Sequence, residues 1–198
     1  MLKKPAQTCC DIHPIIRDRW SPRAFDTRPV PHDALLSVLE AARWAPSSNN
    51  VQPWRFIVAT TTDLQAHAAA VTGFNVRNQR WAKNAPVLIF ALARKVNDAG
   101  AANGAAAYDT GAAVAQLVLQ ATALDLVVHQ AGGIEKDHIR AMYQVPEDTD
   151  IVVGLALGYQ GDADSLPEDL PTREREPRAR KALTDIVFAG VYGEAAKL

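Results

Sequence analysis

An uninterrupted apolar run at residues 86–93 is the feature that most limits how this chain can fold. A run of this kind predicts a strand that is buried within a sheet. Three shorter apolar segments predict further strands, at residues 54–59, 126–131 and 151–157. Apolar residues at helical spacing predict helices at residues 31–45, 64–71, 105–124 and 136–143. This mixture of helices and strands indicates an α+β fold.

The composition favours one domain over residues 1–198, without a strongly charged surface. Because 21 basic residues nearly balance 22 acidic ones, we expect neither nucleic acid nor an anionic membrane as a partner. The longest uncharged run, residues 110–124, is shorter than the ~20 apolar residues that a membrane-spanning helix needs. Cys9 and Cys10 are adjacent and near the N-terminus, and the residues before them do not predict a signal peptide. We therefore expect free thiols in a cytoplasmic protein.

The C-terminal part of the chain differs in character from the rest. Residues 161–180 are rich in proline and charge, which indicates an extended arm from about residue 161. An apolar patch at residues 186–188 follows and needs a surface to pack against. On the long predicted helix, Ala112, Ala115 and Gln116 would allow another helix to approach closely, or would simply pack in the core. The arm with its apolar end, together with Tyr108, favours a dimer.

A polar segment lies between the first predicted helix and the first predicted strand, bounded by Pro46 and Pro53. Its five hydrogen-bonding side chains belong to Ser47, Ser48, Asn49, Asn50 and Gln52. Buried polar groups need partners, and a flat heterocycle with alternating donors and acceptors would provide them. The alternative is an ordinary polar loop that caps the next element.

Two basic clusters lie far apart in the sequence. Arg19 and Arg23 share a face if the segment between them is helical or turn-like, and Ser21 adds a hydroxyl. Arg178 and Arg180 form the second cluster. Guanidinium groups bind phosphate in a bidentate manner, although each cluster alone also fits a solvated face.

Taken in order, these segments resemble the nitroreductase family of flavoproteins, from about residue 15 to residue 187. In that family an Arg-x-Ser-x-Arg-x-Phe segment holds the phosphate of FMN, and here it comprises Arg19, Trp20, Ser21, Arg23 and Phe25. A C-terminal basic pair completes the phosphate site, and the matching residues are Arg178 and Arg180. A Pro-Ser-Ser-x-Asn-x-Gln-Pro-Trp segment contacts the flavin, usually across the dimer interface, and its counterparts are Pro46, Ser47, Ser48, Asn50, Gln52, Pro53 and Trp54.

The resemblance extends to a glycine pair that approaches the flavin ring and to an asparagine near it. The matching residues are Gly132, Gly133 and Asn78. The fold that it implies is a small, mostly antiparallel sheet flanked by helices and built as an intertwined homodimer.

Two positions depart from the family pattern. Asp125 replaces the glycine of a turn, and we expect the turn to survive because Asp tolerates a left-handed conformation. Ile134 follows the glycine pair, where Phe is common, and is expected to change the shape of the substrate pocket. Two further residues have alternative interpretations. His129 either borders the flavin or is a satisfied polar residue at a strand end, and Trp81 either lines the pocket or packs in the core.

The sequence contains no dinucleotide fingerprint, P-loop, nucleophile elbow or paired metal ligands. We therefore assign no catalytic side chain and no metal, because a flavin itself carries the hydride. The resemblance implies an FMN-dependent oxidoreductase that takes electrons from NADH or NADPH. By a ping-pong reaction it would reduce a nitroaromatic, a quinone or a similar electron-poor acceptor. The alternatives are a specialised flavin reaction, such as dehalogenation or oxygen-dependent chemistry, a flavin sensor without turnover, and a purely structural dimeric module.

Overall fold

The structure of the chain, a computed structural model, describes residues 2–197. Within that range, five strands form one sheet in which every pairing is antiparallel. The strands are β1 Phe25–Asp26, β2 Trp54–Thr60, β3 Val87–Arg94, β4 Val127–Ala131 and β5 Thr149–Gln160. The small antiparallel sheet implied by the family resemblance is therefore confirmed.

Seven α-helices flank this sheet in the described part of the chain. They are α1 Pro14–Asp18, α2 His32–Arg43, α3 Leu64–Thr72, α4 Val76–Ala82, α5 Ala106–Ala123, α6 Lys136–Tyr143 and α7 Leu170–Arg175. Single turns of 3-10 helix occur at Ser48–Asn50, Ala163–Ser165 and Leu183–Asp185. Between residues 2 and 197, no helix is both long enough and apolar enough to cross a membrane.

Strand β3 lies in the middle of the sheet, between β2 and β5, and only its last residue is not buried. Its alternate side chains enter two separate apolar clusters. Leu88, Phe90 and Leu92 face the cluster that contains residues of α3, α4, α6 and α7. Ile89 and Ala91 face the cluster covered by α2 and α5. The uninterrupted apolar run is therefore explained by helices that cover both faces of the strand.

Strand β5 is longer than the apolar pattern predicts, because its polar ends are also paired. Thr149 pairs with Arg94 at one end, and Gln160 pairs with Phe25 at the other. The segment that contains β1 is thereby joined to the sheet. The turn at Asp125 survives as expected, since Asp125 adopts a left-handed conformation with φ +57°.

The prediction of an extended arm from about residue 161 is wrong for its first part. A face of this segment is buried, and its residues are Ala163, Leu166, Leu170 and Glu174. Their spacing of three to four residues places them on one side of the chain, where the apolar members cover the core. Helix α4 was not predicted, because its sequence is mostly polar. Asn75 begins it by accepting a hydrogen bond from the backbone N–H of Asn78 at 3.0 Å.

Candidate functional site

The two basic clusters of the sequence meet in one pocket of about 200 Å³. The loop between α1 and β1 forms one side, and the segment from α7 onward forms the other. Six of the seven residues of the two predicted phosphate segments line it, and Phe25 packs in the core instead. Three further residues line the pocket that were not predicted, so its lining is Arg19, Trp20, Ser21, Arg23, Arg178 and Arg180 together with Lys4, Arg173 and Glu174. Six cationic side chains therefore surround one carboxylate.

The positive charges in this pocket oppose one another. Burial lowers the pKa of Arg19, and the guanidinium groups of Arg178 and Arg180 lower it further. Burial likewise lowers the pKa of Arg178, with Arg180 acting in the same direction. These lowered pKa values indicate that the acidic residues of the chain do not neutralise the positive charge of the pocket. An anion with several oxygen acceptors would relieve the repulsion, so the pocket is suited to phosphate.

Glu174 fixes the loop that carries the first basic cluster. Its side chain is only 1% exposed, and Oε1 accepts the backbone N–H groups of Arg23 at 2.7 Å and Ala24 at 3.1 Å. Its Oε2 lies 3.8 Å from Nη1 of Arg23. Within the loop, Nη1 of Arg19 donates to the Ser21 hydroxyl at 3.2 Å. The guanidinium groups are therefore held in position before any ligand arrives.

The glycine pair and Asn78 lie together in the structure. The carbonyl of Gly133 accepts the backbone N–H of Asn75 and the side-chain amide of Asn78, both at 3.0 Å. A Cβ on Gly133 would lie 2.7 Å from Nδ2 of Asn78, so a side chain does not fit. A Cβ on Gly132 would meet nothing within 4 Å. The glycine pair is therefore packed on one side and open on the other, where a flat ring could approach.

Ile134, the residue after this pair, packs on the core. A Cβ built on Gly154 would touch the side chains of both Ile134 and Phe74. The contacts of Ile134 in the structure are therefore core contacts, and its expected effect on the substrate pocket stays a prediction.

The polar segment after α2 adopts an uncommon backbone conformation. Asn49, Asn50 and Gln52 have φ values of 49°, 55° and 50°. Left-handed conformations of residues other than glycine are rare and occur often at functional sites. The Ser47 hydroxyl accepts the backbone N–H of Gln52 at 3.0 Å, which stabilises the turn. Ser48, Asn49, Asn50 and Gln52 are nevertheless exposed in the single chain, so the contact of this segment with a flavin stays a prediction.

A buried carboxylate that the sequence analysis missed anchors this segment. Oδ2 of Asp109, on α5, accepts the backbone N–H of Ser48 at 3.0 Å. Within one chain, the predicted flavin-contacting residues of this segment do not line the cationic pocket: Pro46, Ser47, Ser48, Asn50 and Gln52. The structure therefore brings the predicted phosphate-binding residues together in one pocket. The polar segment after α2 lies outside that pocket.

His129 is held in place by contacts within this chain. Its Nδ1–H donates to the carbonyl of Pro22 at 3.0 Å, and its ring lies 4.4 Å from the Trp81 ring. Burial, and then the charge of Arg23, lowers the pKa of His129 to about 4. The imidazole is therefore neutral at pH 7 and joins β4 to the basic loop. Trp81 is 1% exposed and packs in the core, so the core-packing interpretation is the correct one for this residue.

Protonation of His129 is expected to destabilise the fold as the pH falls from about 6.5 to about 4. The unfolded chain binds this proton near pH 6.5, whereas the folded chain binds it only near pH 4, so stability is lost within that interval. Each unit of pKa difference corresponds to about 1.4 kcal/mol, so the loss approaches ~3 kcal/mol. Urea unfolding from pH 7 to pH 4 measures it.

The matched comparison uses His129→Gln, which does not titrate, and His32→Gln, which replaces an exposed histidine. The free energy of unfolding of His129→Gln is expected to fall less on acidification than that of the wild type. His32→Gln is expected to follow the wild type. Equal acid losses in all three proteins would contradict the assigned environment of His129.

The family model described as the nitroreductase family matches residues 16–73 and 61–159. The chain belongs to the nitroreductase family. This nitroreductase-family chain is similar to a solved structure of an oxidoreductase containing FMN, with 38% identity and a TM-score of 0.89. That match covers 95% of this chain and 96% of the other. A nitroreductase family protein from Clostridium difficile 630 matches with 26% identity and a TM-score of 0.69, over 89% of this chain and 96% of that one.

Curated relatives match over shorter stretches. A 15.4 kDa protein of Mycolicibacterium smegmatis is 32% identical over 123 residues, which are 62% of this chain and 82% of that protein. The nitrobenzene nitroreductase of Ectopseudomonas oleovorans is 40% identical over 70 residues, which are 31% of each chain. This chain thus spans about a third of the length of that nitroreductase. The family predicted from the sequence is confirmed.

Proposed function

We propose that this nitroreductase-family chain is an FMN-dependent oxidoreductase that uses NADH or NADPH to reduce an electron-poor acceptor, such as a nitroaromatic or a quinone. The observation that carries the proposal is the pocket in which six cationic side chains surround a single buried carboxylate. The similarity to an FMN-containing oxidoreductase at 38% identity supports it. So does the name of the nitrobenzene nitroreductase, which matches over 70 residues.

The residues present fit FMN in two places. Arg19, Arg23, Arg178 and Arg180 would hold the phosphate, because guanidinium groups donate in pairs to phosphate oxygens. Gly132, where an added Cβ would meet nothing within 4 Å, and Asn78 would hold the ring. FMN rather than FAD is expected, since the sequence has no dinucleotide fingerprint.

Bound FMN would supply the hydride chemistry, and the protein's part is to hold it and to leave one face open. Near the glycine pair, His129 is neutral and donates its Nδ1 proton to Pro22, so it has no proton in position for a substrate. We therefore assign no side chain as general acid. A single open surface at Gly132 would serve donor and acceptor in turn, so oxidised nicotinamide would leave before the acceptor binds, as in a ping-pong mechanism.

We infer that two copies of the chain form a homodimer with composite flavin sites. Trp44 at the end of α2 is 71% exposed, and Tyr108 in the first turn of α5 is 82% exposed. The small residues Gly111 and Ala115 continue the exposed face of α5. A second copy packed on this surface would bury these side chains and bring its own polar segment, residues 46–52, toward the ring site.

The proposal is tested by adding NADH or NADPH to the purified flavoprotein without oxygen. Loss of the visible flavin absorbance, and its return on addition of a nitroaromatic or a quinone, is expected. A flavin that neither nicotinamide reduces would instead indicate a flavin-binding protein without turnover. Reduction without reoxidation by either acceptor would indicate a specialised reaction, such as dehalogenation. A protein that binds no flavin would contradict the proposal entirely.

A further inference from the structure

The N-terminal segment, residues 2–6, lies against the cationic pocket and is bonded to the body of the protein at several points. The Leu2 carbonyl accepts a hydrogen bond from Nε2 of Gln160 at 2.9 Å. The backbone N–H of Ala6 donates to the Arg17 carbonyl at 2.8 Å. Lys4 lies between these two attachments. Its side chain is therefore directed to a fixed place.

Lys4 is part of the pocket wall itself. Its Nζ donates to the backbone carbonyl of Glu174 at 2.8 Å and lies 4.6 Å from the centre of a Trp20 ring. An ammonium group carries three donors, so this arrangement leaves donors for a ligand in the pocket. Charged groups of both signs lie near it. Burial lowers the pKa of Lys4, the carboxylates of Glu174 and Glu176 raise it, and the guanidinium groups of Arg178 and Arg23 lower it.

The contacts of Lys4 with Glu174 and Trp20 leave part of its ammonium group free to bind an anion. Glu174 and Glu176 attract this ammonium, but Arg178 and Arg23 repel it, and six cationic side chains line the pocket against one carboxylate. A multiply charged anion at the centre of the pocket would turn that repulsion into attraction. We propose that Lys4 is a ligand of the flavin phosphate, which makes the N-terminal segment part of the binding site. This inference rests on the proposed function.

The backbone of Lys4 makes a second contribution. Its carbonyl accepts Nη1 of Arg178 at 2.7 Å, and the same Nη1 donates to the Arg17 carbonyl at 3.0 Å. The Lys4 backbone thus positions one of the expected phosphate ligands, while the Lys4 side chain provides a further cation. A side-chain substitution at Lys4 leaves the carbonyl in place, so it tests the cation alone.

The first experiment compares Lys4→Met with the exposed Lys3→Met by titrating the flavin-free proteins with FMN and with riboflavin, which lacks the phosphate. Lys4→Met is expected to weaken FMN binding about ten- to hundredfold, the effect of losing one charge-assisted hydrogen bond, and to leave riboflavin binding unchanged. Lys3→Met is expected to bind both ligands as the wild type does. Lys4→Arg, which keeps the charge, is expected to recover most of the FMN affinity.

Equal losses of FMN and riboflavin affinity in Lys4→Met would show a structural role and overturn the proposal, as would unchanged FMN affinity. A second probe, inorganic phosphate, separates this inference from the function on which it rests. Phosphate is expected to raise the Tm of the flavin-free wild type and of Lys3→Met more than that of Lys4→Met. If the wild type bound no flavin but showed this phosphate pattern, the proposed function would fail while the Lys4 anion contact would stand. An identical phosphate response in Lys4→Met would overturn that contact.

Discussion

Replacing Arg178 and Arg180 together by Ala is expected to weaken FMN binding by about a hundredfold or more. Both residues line the pocket, and their neighbours Arg19 and Arg23 lie across it on a different element. Each lost charge-assisted hydrogen bond contributes about 1.5–3 kcal/mol, and every 1.4 kcal/mol is tenfold in the dissociation constant. Titration of the flavin-free variant with FMN, followed by flavin fluorescence, measures the change.

The matched control removes two cations from the same region without touching the pocket. Arg175 pairs with Asp164 at 2.6 Å on the exposed side of α7, and Lys181 is exposed just after the basic pair. The double variant Arg175→Ala and Lys181→Ala is expected to bind FMN as the wild type does. If both double variants lost affinity equally, the effect would come from net charge, and the assignment of Arg178 and Arg180 to the phosphate would be wrong.

Removal of residues 182–198 is expected to convert a dimer into a monomer and to weaken FMN binding roughly tenfold or more. In the described part of this tail, the backbone bonds join the tail to itself, as in the Ala196 N–H to Val187 carbonyl bond at 3.0 Å. Leu183, Ile186 and Val191 are exposed, and Tyr192 is 90% exposed. The tail therefore adds little to the core of its own chain but offers apolar surface to a second copy.

Light scattering distinguishes the outcomes. The full chain is expected to give about twice its mass of 21.4 kDa, because the dimer is the commonest symmetric oligomer. The shortened chain is expected to give the mass of one chain. A variant that lacks only residues 197 and 198 serves as the control and is expected to stay dimeric. A shortened chain that remained dimeric and kept its full FMN affinity would contradict a role for the tail in the dimer.

Local patterns predicted most of the elements. Strand β3 follows from its apolar run, and α5 from its small and aliphatic residues, because both signals depend only on neighbours in sequence. The left-handed turn at Asp125 was also predictable, since few residue types tolerate that conformation. Helix α4 was missed because most of its residues are polar, although the capping residue Asn75 would have indicated its start.

The pocket was only partly predictable, for a physical reason. Arg19, Ser21 and Arg23 form a recognisable local motif, but Lys4 and Glu174 gain their roles through contact across 170 positions of sequence. From the sequence alone, a lysine near a terminus or a glutamate in a charged segment cannot be distinguished from a solvated residue. The burial of Glu174 depends on the packing of α7, which the sequence analysis did not expect.

The proposed function requires the chain to bind FMN and the bound flavin to exchange hydride with a nicotinamide. The most direct test begins with mass spectrometry of the cofactor released from the purified protein, which is expected to be FMN. The visible absorbance of the loaded protein is then recorded without oxygen during addition of NADH and, separately, NADPH. At least one of them is expected to remove the flavin absorbance, and a quinone or a nitroaromatic is expected to restore it. A spectrum that neither nicotinamide changes, or FAD as the sole flavin, would show that the chain is not an FMN-dependent oxidoreductase of this kind.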